Sequence, residues 1–268
     1  MIASHRLKDI PFHESINVGE VMESLPSAIV IHYSGNDSLA GTVNWLCDKQ
    51  ARASAHVVVG EEGEMAQLVP FNQVAWHAGK SKYKGKSNFN NFSIGIELVN
   101  PGKLVRVGDE YQAWFGKTYP ASRVVKVETK NSQEYWCSYS IPQIQALKEL
   151  ILVLKRHYPI NMLVGHEEIS PGRKVDPGPA FPLEDMRRQL MDIDRDGLLN
   201  ETEKSDIQLG EVIAQQLNIR SSIRGVPRKG PLKRGKRVWI LEESNDWYKV
   251  FVEETGWVKK EFVKLLDK

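Results

Sequence analysis

The stretch SAIVIHY, residues 27–33, is an unbroken β-branched run, the mark of a buried strand, and it ends at His32 and Tyr33. Residues 42–54, TVNWLCDKQARAS, place Val43, Leu46 and Cys47 at helical spacing and predict a helix. Residues 55–70, AHVVVGEEGEMAQLVP, are two apolar runs joined by a glycine-containing turn, which predicts a β-hairpin. In the strand pattern SIGIEL, period-2 alternation sets Ile94 and Ile96 on one face and Gly95 and Glu97 on the other. Residues 101–140 are polar and aromatic without a clear period, and are expected to be an irregular insertion over one face. IPQIQALKELILVLKRHY, residues 141–158, predicts a strong helix, with Pro142 in its first turn and apolar residues recurring at three and four. NMLVGH predicts a further strand leading into the Pro/Gly-rich loop 170–182, and FPLEDMRRQLM a closing helix.

Strands alternating with helices make residues 1–191 an α/β layer domain with a mixed central sheet. The end of the chain differs in kind. Residues 217–268 are a succession of short strand patterns broken by Gly, Pro and Asn-Asp turns, which predicts a small β-barrel. Between the two, DIDRDGLLNETE at residues 192–203 has the spacing of an EF-hand calcium loop. Asp192, Asp194 and Asp196 take the first three ligand positions, and Gly197 the turn. Leu198 offers a backbone carbonyl, Asn200 follows, and Glu203 is the bidentate ligand. Three carboxylates within five residues repel one another unless a cation neutralises them. Residues 192–216 are therefore expected to be a structural calcium clip, with a helical stretch around IQLGEVIAQQ after the loop.

Composition narrows the picture modestly. Of 268 residues, 41% are hydrophobic and 26% charged, as in an ordinary globular protein, and no run of about 18 apolar residues predicts a membrane span. The net charge of +2 is unevenly placed: residues 217–268 carry 13 Lys+Arg against 7 Asp+Glu, and the remainder 23 against 27. A basic tail on a mildly acidic body suits an anionic surface. Nothing beyond charge supports a nucleic-acid partner. Cys47 and Cys137 fit no metal-like spacing and are expected to be buried thiols.

The chemistry lies in three places. His32 and His166 both fall at strand ends, where ligands gather in open sheets. Asp176 follows His166 after nine residues rich in Pro and Gly, a loop that can fold back so that both reach one ion. A hydrolytic zinc site needs three such ligands and an open fourth position. Glu97, on a strand among apolar residues, costs stability unless it has a partner or a task.

IVIHY, SAHVVV, VPFNQVAWHAG, NNFSIGIELVN and GHEEISPGRKVDPGPAF occur in order over roughly residues 28–190. Together they resemble the blocks of the zinc-dependent N-acetylmuramoyl-L-alanine amidases, relatives of the peptidoglycan recognition proteins. The resemblance implies that His32, His166 and Asp176 bind zinc, that Glu97 is general base and proton shuttle, and that Lys174 stabilises the oxyanion. It places His77 at the substrate cleft, and Asn91 and Arg173 are further candidates for substrate contact. His56 is expected to be structural. The implied reaction is hydrolysis of the bond between N-acetylmuramic acid and L-alanine in peptidoglycan or muropeptides. A non-catalytic recognition module and a zinc peptidase acting within the stem peptide are the alternatives. The tail, with its LNIR, WYKV and GWV landmarks, resembles bacterial SH3-type wall-binding domains, in which Trp247, Tyr248 and Trp257 are either core or groove. A monomer is expected. The first 15 residues do not read as a signal peptide, which is expected of a cytoplasmic protein, of one whose leader has been removed, or of one released to the wall by another route.

Overall fold

The β-branched run becomes the strand Ala28–Tyr33, which lies inside a sheet with a parallel neighbour on each side. Those neighbours are Met162–Gly165 and Ser93–Leu98. Val57–Val59 follows in parallel, and Met65–Gln67 returns antiparallel at the edge, completing the hairpin read from residues 55–70. The result is a mixed five-stranded sheet within the first of two compact units, Met1–Arg195 and Asp196–Lys268. The structure is a computed structural model that describes residues 2–128, 133–191, 208–220, 225, 231–251 and 255–265.

Strand alternation sorts the sheet's side chains. Ile29, Ile31, Ile94, Ile96 and Leu98 share a cluster with Leu147, Leu150, Ile151 and Leu154 of the helix Ile141–His157. That helical stripe has the spacing expected of a core-facing surface. Each such side chain gains about 1.5–3 kcal/mol on full burial. The helix is set in place at its start, where Ser140 Oγ accepts from Gln143 N at 3.2 Å. Gln143, itself buried, donates through Nε2 to the carbonyls of Val59 and Val99, both at 3.0 Å, and so ties the helix to two strand ends. The opposite face of the sheet carries His32 and Glu97. There Val43 and Leu46, from the helix Leu39–Cys47, pack with Val58, Ala66 and Leu68.

The structure corrects two expectations. Residues 101–140 are not irregular: they hold a second five-stranded sheet, in the order Thr118–Tyr119, Glu110–Gln112, Lys103–Val107, Gln133–Cys137, Val124–Glu128, antiparallel throughout. Leu104, Tyr111, Ala113, Tyr119 and Cys137 form its core. Its strands are short, and one face leaves Val105 and Val107 in solvent, so apolar and polar positions do not separate cleanly along the sequence. The second correction concerns IQLGEVIAQQ, which forms no linker helix; Gln208–Val212 is a strand instead. It pairs with Arg237–Ser244 and Val263–Leu265, so the tail's sheet begins before residue 217.

That sheet runs in the order Thr255–Lys259, Trp247–Phe251, Arg237–Ser244, Gln208–Val212, Val263–Leu265. Val212, Val238, Ile240, Tyr248, Val250, Val258 and Val263 belong to its core, and Trp247 is half-buried. The side chain of Trp257 and the whole expected calcium loop, Asp192, Asp194, Asp196, Leu198, Asn200 and Glu203, lie outside the described residues. Cys137 is a buried free thiol, as expected, whereas Cys47 is only half-buried. Among the described residues no helix is long and apolar enough to cross a membrane.

Ile151→Ala opens a cavity between helix and sheet. It should lower unfolding stability by about 2–5 kcal/mol with an unchanged slope in urea titration.

Candidate metal centre

Parallel register sets the site. Glu97 lies directly beside His32 on adjacent strands, and both point away from the Ile141–His157 helix. His166 opens the short helix His166–Ile169 immediately after the strand Met162–Gly165, one residue later than a strand end. The loop then folds back, and the Glu167 amide donates to the Asp176 carbonyl at 2.8 Å. Three donor atoms meet as a result. His32 Nδ1 is 2.9 Å from His166 Nδ1 and 2.9 Å from Asp176 Oδ2, and His166 Nδ1 is 3.0 Å from the same oxygen. All three residues are buried.

The outer partners of the two imidazoles decide which nitrogens carry hydrogen. His166 Nε2 lies 3.1 Å from the Ala78 carbonyl, which can only accept, so Nε2 carries a hydrogen and the neutral ring turns the lone pair of Nδ1 inward. Arg173 Nη2 is 3.4 Å from that nitrogen but donates to Ala78 O, Lys80 O and Ser170 Oγ at 2.7, 2.9 and 2.6 Å. A longer chain fixes His32. Ser93 Oγ donates to the Phe89 carbonyl and accepts from His77 Nε2 at 3.3 Å. His77 Nδ1 therefore accepts, at 3.0 Å, from His32 Nε2–H, and His32 Nδ1 is also a lone pair. Burial pushes the His32 imidazole down to about 4 and holds His77 well below its ordinary range, so each ring carries one hydrogen at neutral pH.

Two lone pairs and a carboxylate oxygen thus converge with no hydrogen between them. Burial raises the Asp176 carboxyl and hydrogen bonds from the two imidazoles would lower it, but with both Nδ1 atoms bare that role falls to a cation. Only a cation satisfies such a triangle, and nitrogen and carboxylate donors about 3 Å apart suit zinc bonds of about 2.0–2.2 Å. The residues present fit the metal.

The triangle opens into a pocket lined also by Tyr33, Ser34, Asn36, Trp45, His77, Glu97 and Lys174. Burial raises the Glu97 carboxyl to about 8, helped by Asp176 and opposed by Lys174. Its Oε2 is buried without a hydrogen-bond partner. Such an oxygen is costly unless a water or substrate group meets it.

The expected site residues divide accordingly. His32, His166, Asp176, Glu97 and Lys174 come together. His77 borders the pocket but is buried, and its hydrogen bonds go to His32 and Ser93. Asn91 is exposed and outside the pocket lining; its neighbour Asn90 is the working residue, its Oδ1 accepting from the amides of His77 and Ala78 at 3.2 and 2.7 Å. Arg173 ties the 78–80 loop to Ser170 and does not line the pocket. His56 is structural, as expected, bonded to Gly95 N and Gln73 O. Sequence reasoning missed Ser93, whose only signal is its place two residues before Gly95 on the Glu97 face. Gly95 itself has a strict reason, since a Cβ there would lie 2.3 Å from His77 Cγ.

Comparison with known proteins finds likeness over much of the first unit. The family model described as N-acetylmuramoyl-L-alanine amidase matches residues 22–179. The chain is 35% identical over 132 residues to 1,6-anhydro-N-acetylmuramyl-L-alanine amidase AmpD of Citrobacter freundii, covering 48% of this chain and 53% of that protein. It is 34% identical over 170 residues to N-acetylmuramoyl-L-alanine amidase AmiD of Escherichia coli, covering 60% and 52%. The chain spans about half the length of these curated relatives. Among solved structures, AmiD from E. coli in complex with anhydro-N-acetylmuramic acid-L-Ala-D-γ-Glu-L-Lys is 32% identical, covers 61% of this chain and 57% of that one, and has a TM-score of 0.47.

His77→Phe keeps a ring against Gly95 but removes the acceptor for His32. Chelator competition should show zinc affinity lower by about 10- to 100-fold, with the fold retained by circular dichroism.

Proposed function

The chain belongs to the N-acetylmuramoyl-L-alanine amidase family, and from that premise we propose that it hydrolyses the amide between N-acetylmuramic acid and L-alanine in peptidoglycan or muropeptides. The observation that carries this reading is the hydrogen-free triangle of His32, His166 and Asp176, opening beside an unpaired Glu97 carboxylate oxygen. Those three residues would hold zinc, which when bound acts as a Lewis acid that acidifies water and polarises a carbonyl.

The remaining roles fall to the chain's own groups. Glu97, buried beside the triangle with no competing hydrogen bond at Oε2, takes the proton of the attacking water and returns it to the leaving L-alanine amine. Lys174, on the rim of the same pocket, brings an ammonium to the carbonyl oxygen as charge develops there. His77 and Ser93 hold the His32 ring in orientation and move no proton in the reaction. Asn90 and Arg173 fix the 77–80 loop that borders the pocket.

Two further assignments rest on sequence. Residues 217–268, with 13 Lys+Arg against 7 Asp+Glu, are read as an SH3-type wall-binding domain, supported by that charge and by the LNIR, WYKV and GWV landmarks. The spacing of Asp192, Asp194, Asp196, Leu198, Asn200 and Glu203 supports a calcium-binding loop over residues 192–203.

Digestion of purified peptidoglycan, with products weighed by mass spectrometry, tests the reading. Free stem peptides beginning at L-alanine are expected, abolished by a zinc chelator and restored by zinc. Glu97→Gln should keep its zinc and release nothing. Fragments cut within the stem would instead make the protein a peptidase. Sedimentation with the wall without release would make it a recognition module.

A further inference from the structure

Trp114 is the most solvent-exposed large hydrophobic residue among those described, at 79%. It is nevertheless held in place. Its indole N–H donates to the Gly35 carbonyl at 2.8 Å, a contact from the 101–140 sheet to the loop that follows the His32 strand. Three residues on, Lys117 pairs with Asp37 of the same loop at 2.9 Å. The turn that carries the indole is closed by Ala113 N to Lys117 O at 2.9 Å, and by Gln112 Nε2 to Gly116 O at 3.0 Å. The Phe115 ring meets it edge-on, with centroids 5.5 Å apart.

The place of attachment is informative. Gly35 lies between Ser34 and Asn36, both of which line the metal pocket. An exposed indole is costly to keep in water, and one anchored at two points beside a pocket has its orientation settled before any ligand arrives. With its N–H already bonded, the side chain offers a ligand only its ring faces. The surroundings narrow the ligand further. Asn36, Asp37 and Lys117 are polar, so the indole, with the half-buried Phe115 at its side, is a small apolar face in a hydrogen-bonding rim. A pyranose ring matches that combination, with a flat C–H face for the indole and hydroxyls and acetamides for the rim.

We propose that Trp114 is a stacking platform for a sugar ring of the glycan strand, lying beyond the muramic acid residue whose amide is cleaved. The proposal rests on the amidase reading and extends it: this pocket takes a glycan longer than one sugar, and the 101–140 sheet supplies the added subsite.

Kinetics on defined muropeptides carrying one, two or four sugars test this, together with calorimetric binding of the peptide-free tetrasaccharide. In the wild type, KM should fall as the glycan lengthens. Trp114→Ala should lose that gain, with KM for the tetrasaccharide substrate raised roughly tenfold. Its kcat, and all parameters for the single-sugar substrate, should stay within about twofold. Trp114→Phe should retain most of the gain, and the peptide-free tetrasaccharide should bind the wild type and not Trp114→Ala. Equal losses on short and long substrates, or no loss on either, would overturn the subsite while leaving the amidase reading intact. Trp114-dependent binding of the tetrasaccharide without cleavage of any substrate would overturn the amidase reading and leave the subsite.

Discussion

Three buried electron-pair donors held about 3 Å apart would repel one another in an empty interior, and much of the first unit is arranged to force them together. The force comes from outside the triangle. The Ala78 carbonyl takes the only hydrogen of His166, and the Ser93–His77 pair takes the only hydrogen of His32. Each imidazole is thereby left with its lone pair directed inward, beside an ionised Asp176. The arrangement is unfavourable without a cation, and the binding energy of a metal held there would offset it.

The sheet makes this possible. Parallel pairing brings His32 and Glu97 level on neighbouring strands, and alternation keeps both off the face that the long helix buries. Gly95 leaves room for the ring that orients His32, because the His77 ring occupies the space where any other side chain would stand. A rigid, well-packed layer on one face thus holds a polar cluster on the other. The register of two strands then sets the distance from carboxylate to metal ligands more reliably than a loop could.

Much of the site was legible in the sequence because strand period is a geometric statement. SIGIEL assigns Glu97 a face with no further information, and an apolar run ending in a histidine fixes where that histidine stands. What escaped depends on contacts across the fold. Ser93 and the outward nitrogen of His77 acquire meaning only when the 77–80 loop packs over the sheet. Asn90 rather than Asn91 turns inward through local backbone geometry that no period encodes. The 101–140 sheet leaves no period in the sequence, because its strands run two to five residues and leave valines exposed. The strand Gln208–Val212 has few apolar positions to set its period, and its pairing partners lie some 25 to 55 residues on.

The chain of hydrogens is the central claim, and nitrogen-15 NMR of the histidine side chains reports it most directly. In zinc-loaded protein at neutral pH, long-range proton–nitrogen spectra should show His32, His77 and His166 all hydrogenated at Nε2. The Nδ1 shifts of His32 and His166 should be those of metal-bound nitrogen, and the Nδ1 shift of His77 that of a hydrogen-bond acceptor. A hydrogen on Nδ1 of either His32 or His166 would contradict the account.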